Sequence, residues 1–423
     1  MPSTEEKAVF AFNRFAALIR KEPVPPAIQP GLDVLLRQRI DDALTTYAPM
    51  VGDWEIVWGP TVATFAADHY AVNTLFVAHN LNDTGTYVIA TAGTNPYSWI
   101  DFVFEDALVF IQVDWPYAGP GKGKMALGTA IGLAILQGLV PDVGFPGAGK
   151  DLFDFLFDLT ASTTEPALKI WTTGHSLGGA LSPALAQWLH DTKPTWDPTD
   201  LAEIWTLPTA GPSLGDSTLS THFSTTIADR VKHHYGDWDY APNAWTPLEL
   251  DRLNTIYTPP ICRSLIVWLL VRLAKLAASA GDYTDLQSPV PPFGGAVNTS
   301  LVKWWKLPIT NYLRQIEFQH INEYATYFDY TYPLPEMLPD HNPPRIGFWQ
   351  LMSPNLRRAV VRSVLRPNNL TRLFNLRAHK VRLPAGGRVH TINYPPHPDY
   401  DGQVGDLLGE INQVMNRRRG TPT

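Results

Sequence analysis

Apolar positions recur at helical spacing in two stretches before residue 50. Residues 7–20 read as an amphipathic helix, and residues 32–47 read as another after a proline-rich break at 22–30. From Trp54 the period shortens. Residues 55–58, 73–78 and 86–91 read as strands, with Asn82-Asp-Thr-Gly85 as a hairpin turn between the last two. Residues 168–173 form a continuous apolar, β-branched run of the kind a buried parallel strand needs, and a helical run, 180–190, follows almost at once. Residues 125–140 and 151–159 read as helices, 202–207 as a strand and 231–234 as a short strand, while 223–228 is ambiguous. Strands alternating with helices predict an α/β fold with a mixed, mostly parallel central sheet and helices on both faces.

The junction of strand 168–173 with its helix carries the first candidate chemistry. Gly174-His175-Ser176-Leu177-Gly178 is a G-x-S-x-G turn, and Gly179 extends it. A reactive serine must stand clear of the sheet, and a strained strand-to-helix turn lifts it there. Small residues two positions either side let strand and helix approach closely enough. The N–H groups that begin the following helix also point at any oxyanion formed beside Ser176. Alone the motif is weak; the strand before it and the helix after it make it specific.

Composition narrows the picture. The chain has 423 residues, of which 45% are hydrophobic, enough for a large core. Its net charge of −7 gives no global basic excess for nucleic acid. Cys262 is the single cysteine, which excludes an intrachain disulfide and a cysteine-based zinc site. The first residues, Met-Pro-Ser-Thr-Glu-Glu-Lys, are not a basic leader followed by an apolar run, so the expectation is an intracellular protein. No apolar run is long enough for a transmembrane span: residues 125–140 are interrupted by glycine, and the apolar core of 262–276 is too short.

The strand at 86–91 runs into Ala92-Gly93-Thr94, followed by Ser98-Trp99-Ile100-Asp101-Phe102. With the elbow at Ser176, this resembles the oxyanion loop and lid hinge of the fungal-type class 3 lipases, which have the α/β-hydrolase fold. The resemblance implies that Thr94 and Leu177 supply the oxyanion donors and that Trp99 sits at the lid-side rim; His175, a neighbour of the elbow, is grouped with Trp99 as a substrate-binding candidate. The family carries its acid in an Asp-x-x-Pro turn, and Asp239-Tyr-Ala-Pro242 fits, with Asp237 as the rival. It carries its histidine late in the chain, ahead of an aromatic residue. His320 with Tyr324 fits, with His390 and His397 as alternatives. The implied order Ser176, Asp239, His320 is that of the α/β-hydrolases.

The implied function is a serine carboxylic-ester hydrolase acting on lipid esters through an acyl-enzyme, with no metal or organic cofactor. Phospholipids and short-chain esters are alternative substrates, and a non-catalytic lipid-binding scaffold is the reading of another class. The expected partners are a lipid or other ester substrate and a transient lipid interface. Residues 1–50 are expected as an N-terminal helical extension and 51–330 as the hydrolase domain with a helical cap insertion at 246–315. Residues 331–423 are expected as a C-terminal extension packed on the core. Residues 262–276, apolar with Arg263, Arg272 and Lys275 along them, are expected to be a cap helix or a buried one. Asp101, Glu105 and Asp106 read as a solvated acidic cluster. The basic run from Arg345 to Arg382 reads as a solvated helical face, with an anionic-lipid site as the sharper option, and 405–419 reads as a terminal helix.

Overall fold

The computed structural model describes residues 1–20, 30–63, 71, 73–93, 112–279 and 281–330, together with a two-stranded ribbon, β10 (Val381–Arg382) against β11 (Val389–His390). Thr94, Trp99, the acidic cluster, His397 and the terminal helix all lie outside the described residues, as does most of the basic run.

A five-stranded sheet in the order β1-β2-β3-β6-β7 forms the centre. β1 (Trp54–Ala63), β2 (Asn73–Asn80) and β3 (Thr86–Ala92) form an antiparallel meander. β6 (Leu168–His175) and β7 (Ala202–Thr209) then add on in parallel. Residues 231–234 are less than the strand the pattern predicts. They touch β7 only through the parallel bridges Thr206–Val231 and Thr209–His234. A small second sheet orders β4 (Gln112–Asp114), β5 (Lys124–Ala126), β8 (Gly215–Asp216) and β9 (Tyr283–Thr284).

Strand periodicity divides the central sheet into two cores. Phe76, Ala78, Val88 and Ala90 face α1 (Thr4–Phe15) and α2 (Pro30–Val51). Leu75, Val77, Tyr87 and Ile89 face α3 (Leu127–Gly138), α4 (Leu152–Ser162) and α5 (Leu177–Asp191). Helices therefore cover both faces, as the alternating pattern requires. A short helix, α6 (Lys193–Trp196), follows α5 and buries Trp196 on the same side.

α1 starts three residues earlier than its periodicity suggests. Ser3 and Glu6 form a capping box: the Ser3 hydroxyl accepts from the Glu6 N–H at 3.2 Å and the Glu6 carboxylate accepts from the Ser3 N–H at 2.6 Å. It also ends at Phe15, with 16–20 in turns. Every residue from Ala8 to Phe15 is buried, so this helix belongs to the core and not to a membrane surface. The ambiguous stretch around Phe223 is helical, in α7 (Ser217–Thr226), capped by Asp216.

Beyond the sheet, residues 246–317 fold as α8 (Pro247–Arg252), α9 (Leu265–Ala278), a 3₁₀ turn at Thr299–Leu301 and α10 (Pro308–Glu317). They share a third core built from Leu250, Leu253, Ile256, Tyr257, Val267, Val271 and Tyr312. No helix among the described residues is long and apolar enough to cross a membrane.

Candidate active site

The turn from β6 into α5 is built around steric exclusion. A Cβ on Gly174 would come within 2.2 Å of the Gly178 carbonyl oxygen, and one on Gly179 within 2.4 Å of the Thr209 carbonyl oxygen. Strand and helix thus meet at a separation that admits only glycine. Between them Ser176 takes φ 60° and ψ −122°, a conformation that costs on the order of 1–3 kcal/mol. The turn holds it there: the Ser176 N–H donates to the Thr209 carbonyl at 3.0 Å, and the Ser176 carbonyl accepts from the Gly179 N–H at 2.8 Å. Leu177 is the first residue of α5, so its N–H lies among those with no partner inside the helix, at the positive end of the dipole. Gly93, at the end of β3, packs against this start: a Cβ there would lie 3.0 Å from the Gly178 nitrogen.

Ser176, Asp239 and His320 come together. His320 Nε2 lies 2.8 Å from Ser176 Oγ, and His320 Nδ1 lies 2.9 and 3.0 Å from the two carboxylate oxygens of Asp239. Asp239 is fully buried, at the end of a tight turn closed by its own N–H donating to the Gly236 carbonyl at 3.0 Å. The Ala241 N–H donates to Oδ1 at 3.2 Å, and the Asn243 amide donates to the Asp239 carbonyl. Asp237, the rival acid, turns outward and pairs with Arg252 at 2.8 Å.

The histidine is not on a late loop, as its place in the chain suggests. It sits in a single π-helical turn, Phe318–Asn322, between α10 and α11 (Glu323–Tyr327). Such turns insert one extra residue into a helix and recur at functional sites. They carry no glycine or proline signature, so the pattern of side chains does not reveal them. The alternative His390 lies on β11 of the terminal ribbon.

Two residues that the motif reading names without a role in holding the triad, Tyr324 and His175, support it. The Tyr324 hydroxyl donates to Asp239 Oδ2 at 2.8 Å and accepts from the Gly236 N–H at 3.0 Å. Burial and the nearby Asp239 charge hold its pKa well above the usual tyrosine range, so it remains a donor. Four residues after His320 on a helix, Tyr324 comes round to the same side. That spacing was the available signal. The second group is His175. Its Nδ1 lies 3.0 Å from Thr209 Oγ1, and its ring packs 4.7 Å from that of His320 and 5.1 Å from that of Tyr324. Desolvation, then His320 and Arg14, hold its pKa well below the usual histidine value, so the ring stays neutral. The Asn13 amide on α1 reaches Thr209 and Thr173 at 3.4 Å each, which brings α1 beneath this corner of the sheet.

The class 3 lipase family's sequence model matches residues 154–247, a span that includes Ser176 and Asp239. The structure is similar to the crystal structure of M37 lipase, with a TM-score of 0.67 and 28% identity over 79% of this chain and 97% of that one. Lipases from Rhizopus microsporus var. chinensis and Rhizopus niveus align over 57% of this chain and 70% and 76% of theirs, at 18% and 19% identity, each with a TM-score of 0.39. No curated protein matches the sequence. On the family match over residues 154–247 and the M37 likeness together, the chain is similar to the fungal-type class 3 lipases and is a lipase-like carboxylic-ester hydrolase of the α/β-hydrolase fold.

Proposed function

We propose that this lipase cleaves acylglycerol-type esters with Ser176 as nucleophile, His320 as general base and then acid, and Asp239 as the group that orients and charge-balances the imidazole. The Ser176 hydroxyl attacks the ester carbonyl and passes its proton to His320 Nε2. The tetrahedral oxyanion takes the Leu177 N–H as one donor, and Thr94, the residue after Gly93, is assigned as the second by its place in the family pattern. His320 then returns the proton to the leaving alcohol. Water attacks the acyl-serine by the same relay and releases the acid. Trp99 is assigned to the rim of the acyl site on the same ground.

The observation that carries this reading is the unbroken hydrogen-bonded line Ser176–His320–Asp239, with donor–acceptor separations of 2.8 and 2.9 Å at the end of a strained turn. A fluorophosphonate probe tests it directly. Wild-type protein is expected to be labelled at Ser176 and to hydrolyse nitrophenyl esters, with a preference for longer chains. Ser176→Ala is expected to lose labelling and about six decades of kcat. A wild-type protein that binds ester but stays unlabelled would instead be a lipid-binding scaffold.

A further inference from the structure

α9 departs from the rule the other helices obey. One side, with Val267, Val271 and Ala278, is buried in the third core. The other side is apolar too, and open: Leu265 is 79% exposed, and Ile266, Trp268 and Leu269 are 46–48% exposed. A helix apolar all round normally sits inside a protein or in lipid. The segment around α10 repeats the arrangement. Trp304 is 90% exposed, and Trp305, Leu307 and Leu313 are more than half open or close to it, while Tyr312 and Ile316 pack into the same core. Eight of the thirteen exposed large apolar side chains among the described residues lie in these two segments, so the exposure is concentrated.

Charge identifies what fits there. The chain carries a net −7, yet residues 259–279 and 297–316 contain Arg263, Arg272, Lys275, Lys303, Lys306 and Arg314 and no aspartate or glutamate. The acids on the adjoining α8 are engaged: Asp251 by Lys275 at 2.5 Å and Glu249 by Arg252 at 3.7 Å. The Arg272 guanidinium lies 5.2 Å from the Trp268 ring centre and the Lys303 ammonium 5.9 Å from that of Trp305. Tryptophans with cations reaching out beside them suit the boundary between headgroups and acyl chains. A second copy docking by twofold symmetry would set six cations against six.

We propose that α9 and the Trp304–Trp305 segment dock the protein on anionic lipid–water surfaces. The proposal deepens the ester-hydrolase reading, on which its purpose rests, but docking needs no turnover.

Cys262, exposed and two residues before the cap of α9, is the chain's single cysteine, so the native protein accepts one environment-sensitive nitrobenzoxadiazole label beside the patch. Vesicles of equal phosphatidylglycerol and phosphatidylcholine are expected to raise and blue-shift its emission far more than phosphatidylcholine alone. Each cation removed is expected to weaken binding to the anionic vesicles about fivefold, so Arg263→Gln, Arg272→Gln and Lys306→Gln together weaken it about a hundredfold. Combined Leu265→Ser, Trp268→Ser and Leu269→Ser should abolish flotation with vesicles while hydrolysis of dissolved nitrophenyl butyrate stays within about twofold. A label unmoved by either vesicle, or an apolar triple variant that floats like wild type, overturns the proposal. So does a wild-type dimer that the triple variant dissociates while neither protein binds vesicles. Lost docking with intact hydrolysis sinks only the docking surface; intact docking without hydrolysis sinks only the ester-hydrolase assignment.

Discussion

At the scale of single residues, Tyr324 decides how well Asp239 is held. Its hydroxyl satisfies a buried N–H on one side and a buried carboxylate oxygen on the other. Tyr324→Phe removes both bonds and adds no group to replace them. Losing a charge-assisted bond of about 1.5 kcal/mol corresponds to about tenfold in kcat. The expected outcome in steady-state kinetics is that loss, with KM little changed, together with a drop in urea midpoint. The two aspartates of the same turn give a sharper contrast. Asp239→Asn is expected to reduce kcat about 10⁴-fold, because an amide cannot hold the imidazole in the required tautomer and balance its charge. Asp237→Asn breaks only an exposed pair with Arg252 and is expected to stay within about twofold. Equal losses in both variants would remove the distinction drawn from geometry. The sequence made this turn legible as a place for an acid, through its aspartates, glycine and proline. What it concealed was which carboxylate faces inward, since that depends on Gly236 and Phe293 pairing across 57 residues.

At the scale of elements, local signals were legible where one turn of chain contains its own cause. The glycines of the elbow and the hairpin at Asn82–Gly85 announce themselves, because each turn demands those residues. The π turn at His320 does not, since it arises where α10 and α11, each docked on its own neighbours, must join. α2 carries a comparable local conflict. Asp33 lies in its first turn, only 9% exposed, and its Oδ1 is buried without a hydrogen-bond partner among the described residues. Desolvation, and then the charge of Asp142, raise its pKa to about 7. A carboxyl whose pKa is raised on folding favours the folded state while it is protonated. Stability from this group is therefore present below about pH 4 and is lost as pH rises towards 7. Asp33→Asn keeps the shape and removes the titration. After allowance for screening, it is expected to stabilise the protein by about 2 kcal/mol at pH 8 and by much less at pH 5. Urea unfolding at the two pH values measures this, and equal effects at both would show that the carboxyl is not desolvated.

At the scale of the molecule, the two-faced sheet followed from period-2 alternation in β2 and β3, which sends neighbouring residues into opposite cores. The way remote segments are pinned to those cores was not legible, because the pins are polar pairs far apart in sequence. Two of them sit on opposite faces. On one face Asp191 gathers Trp115 Nε1 at 2.7 Å, Gln187 Nε2 at 2.8 Å and His222 Nε2 at 2.9 Å, tying α5 to α7 and to the chain after β4. Burial alone would raise the pKa of Asp191. The hydrogen bonds from His190, His222 and Trp115 outweigh it and hold the value at about 2. On the other face Glu6 caps α1 and pairs with His234 beside β7. The contact with His234 Nε2 at 3.6 Å, the largest influence, and the Ser3 cap set its pKa at about 2 against the pull of burial. Both carboxyls are depressed on folding, so their contribution is present above about pH 4.5 and is lost as pH falls towards 2. For Asp191 it amounts to about 2 kcal/mol, and for the partly exposed Glu6 to about 1 kcal/mol after screening. The sites share no partner and lie across the sheet, so their effects should add. Asp191→Asn with Glu6→Gln is expected to unfold earlier in urea at pH 7 and to lose about 3 kcal/mol less than wild type between pH 4.5 and 2. If the double variant kept the acid dependence of the wild type, the loss of stability in acid would lie with other carboxylates, and these two pins would be structural without being the acid-labile ones.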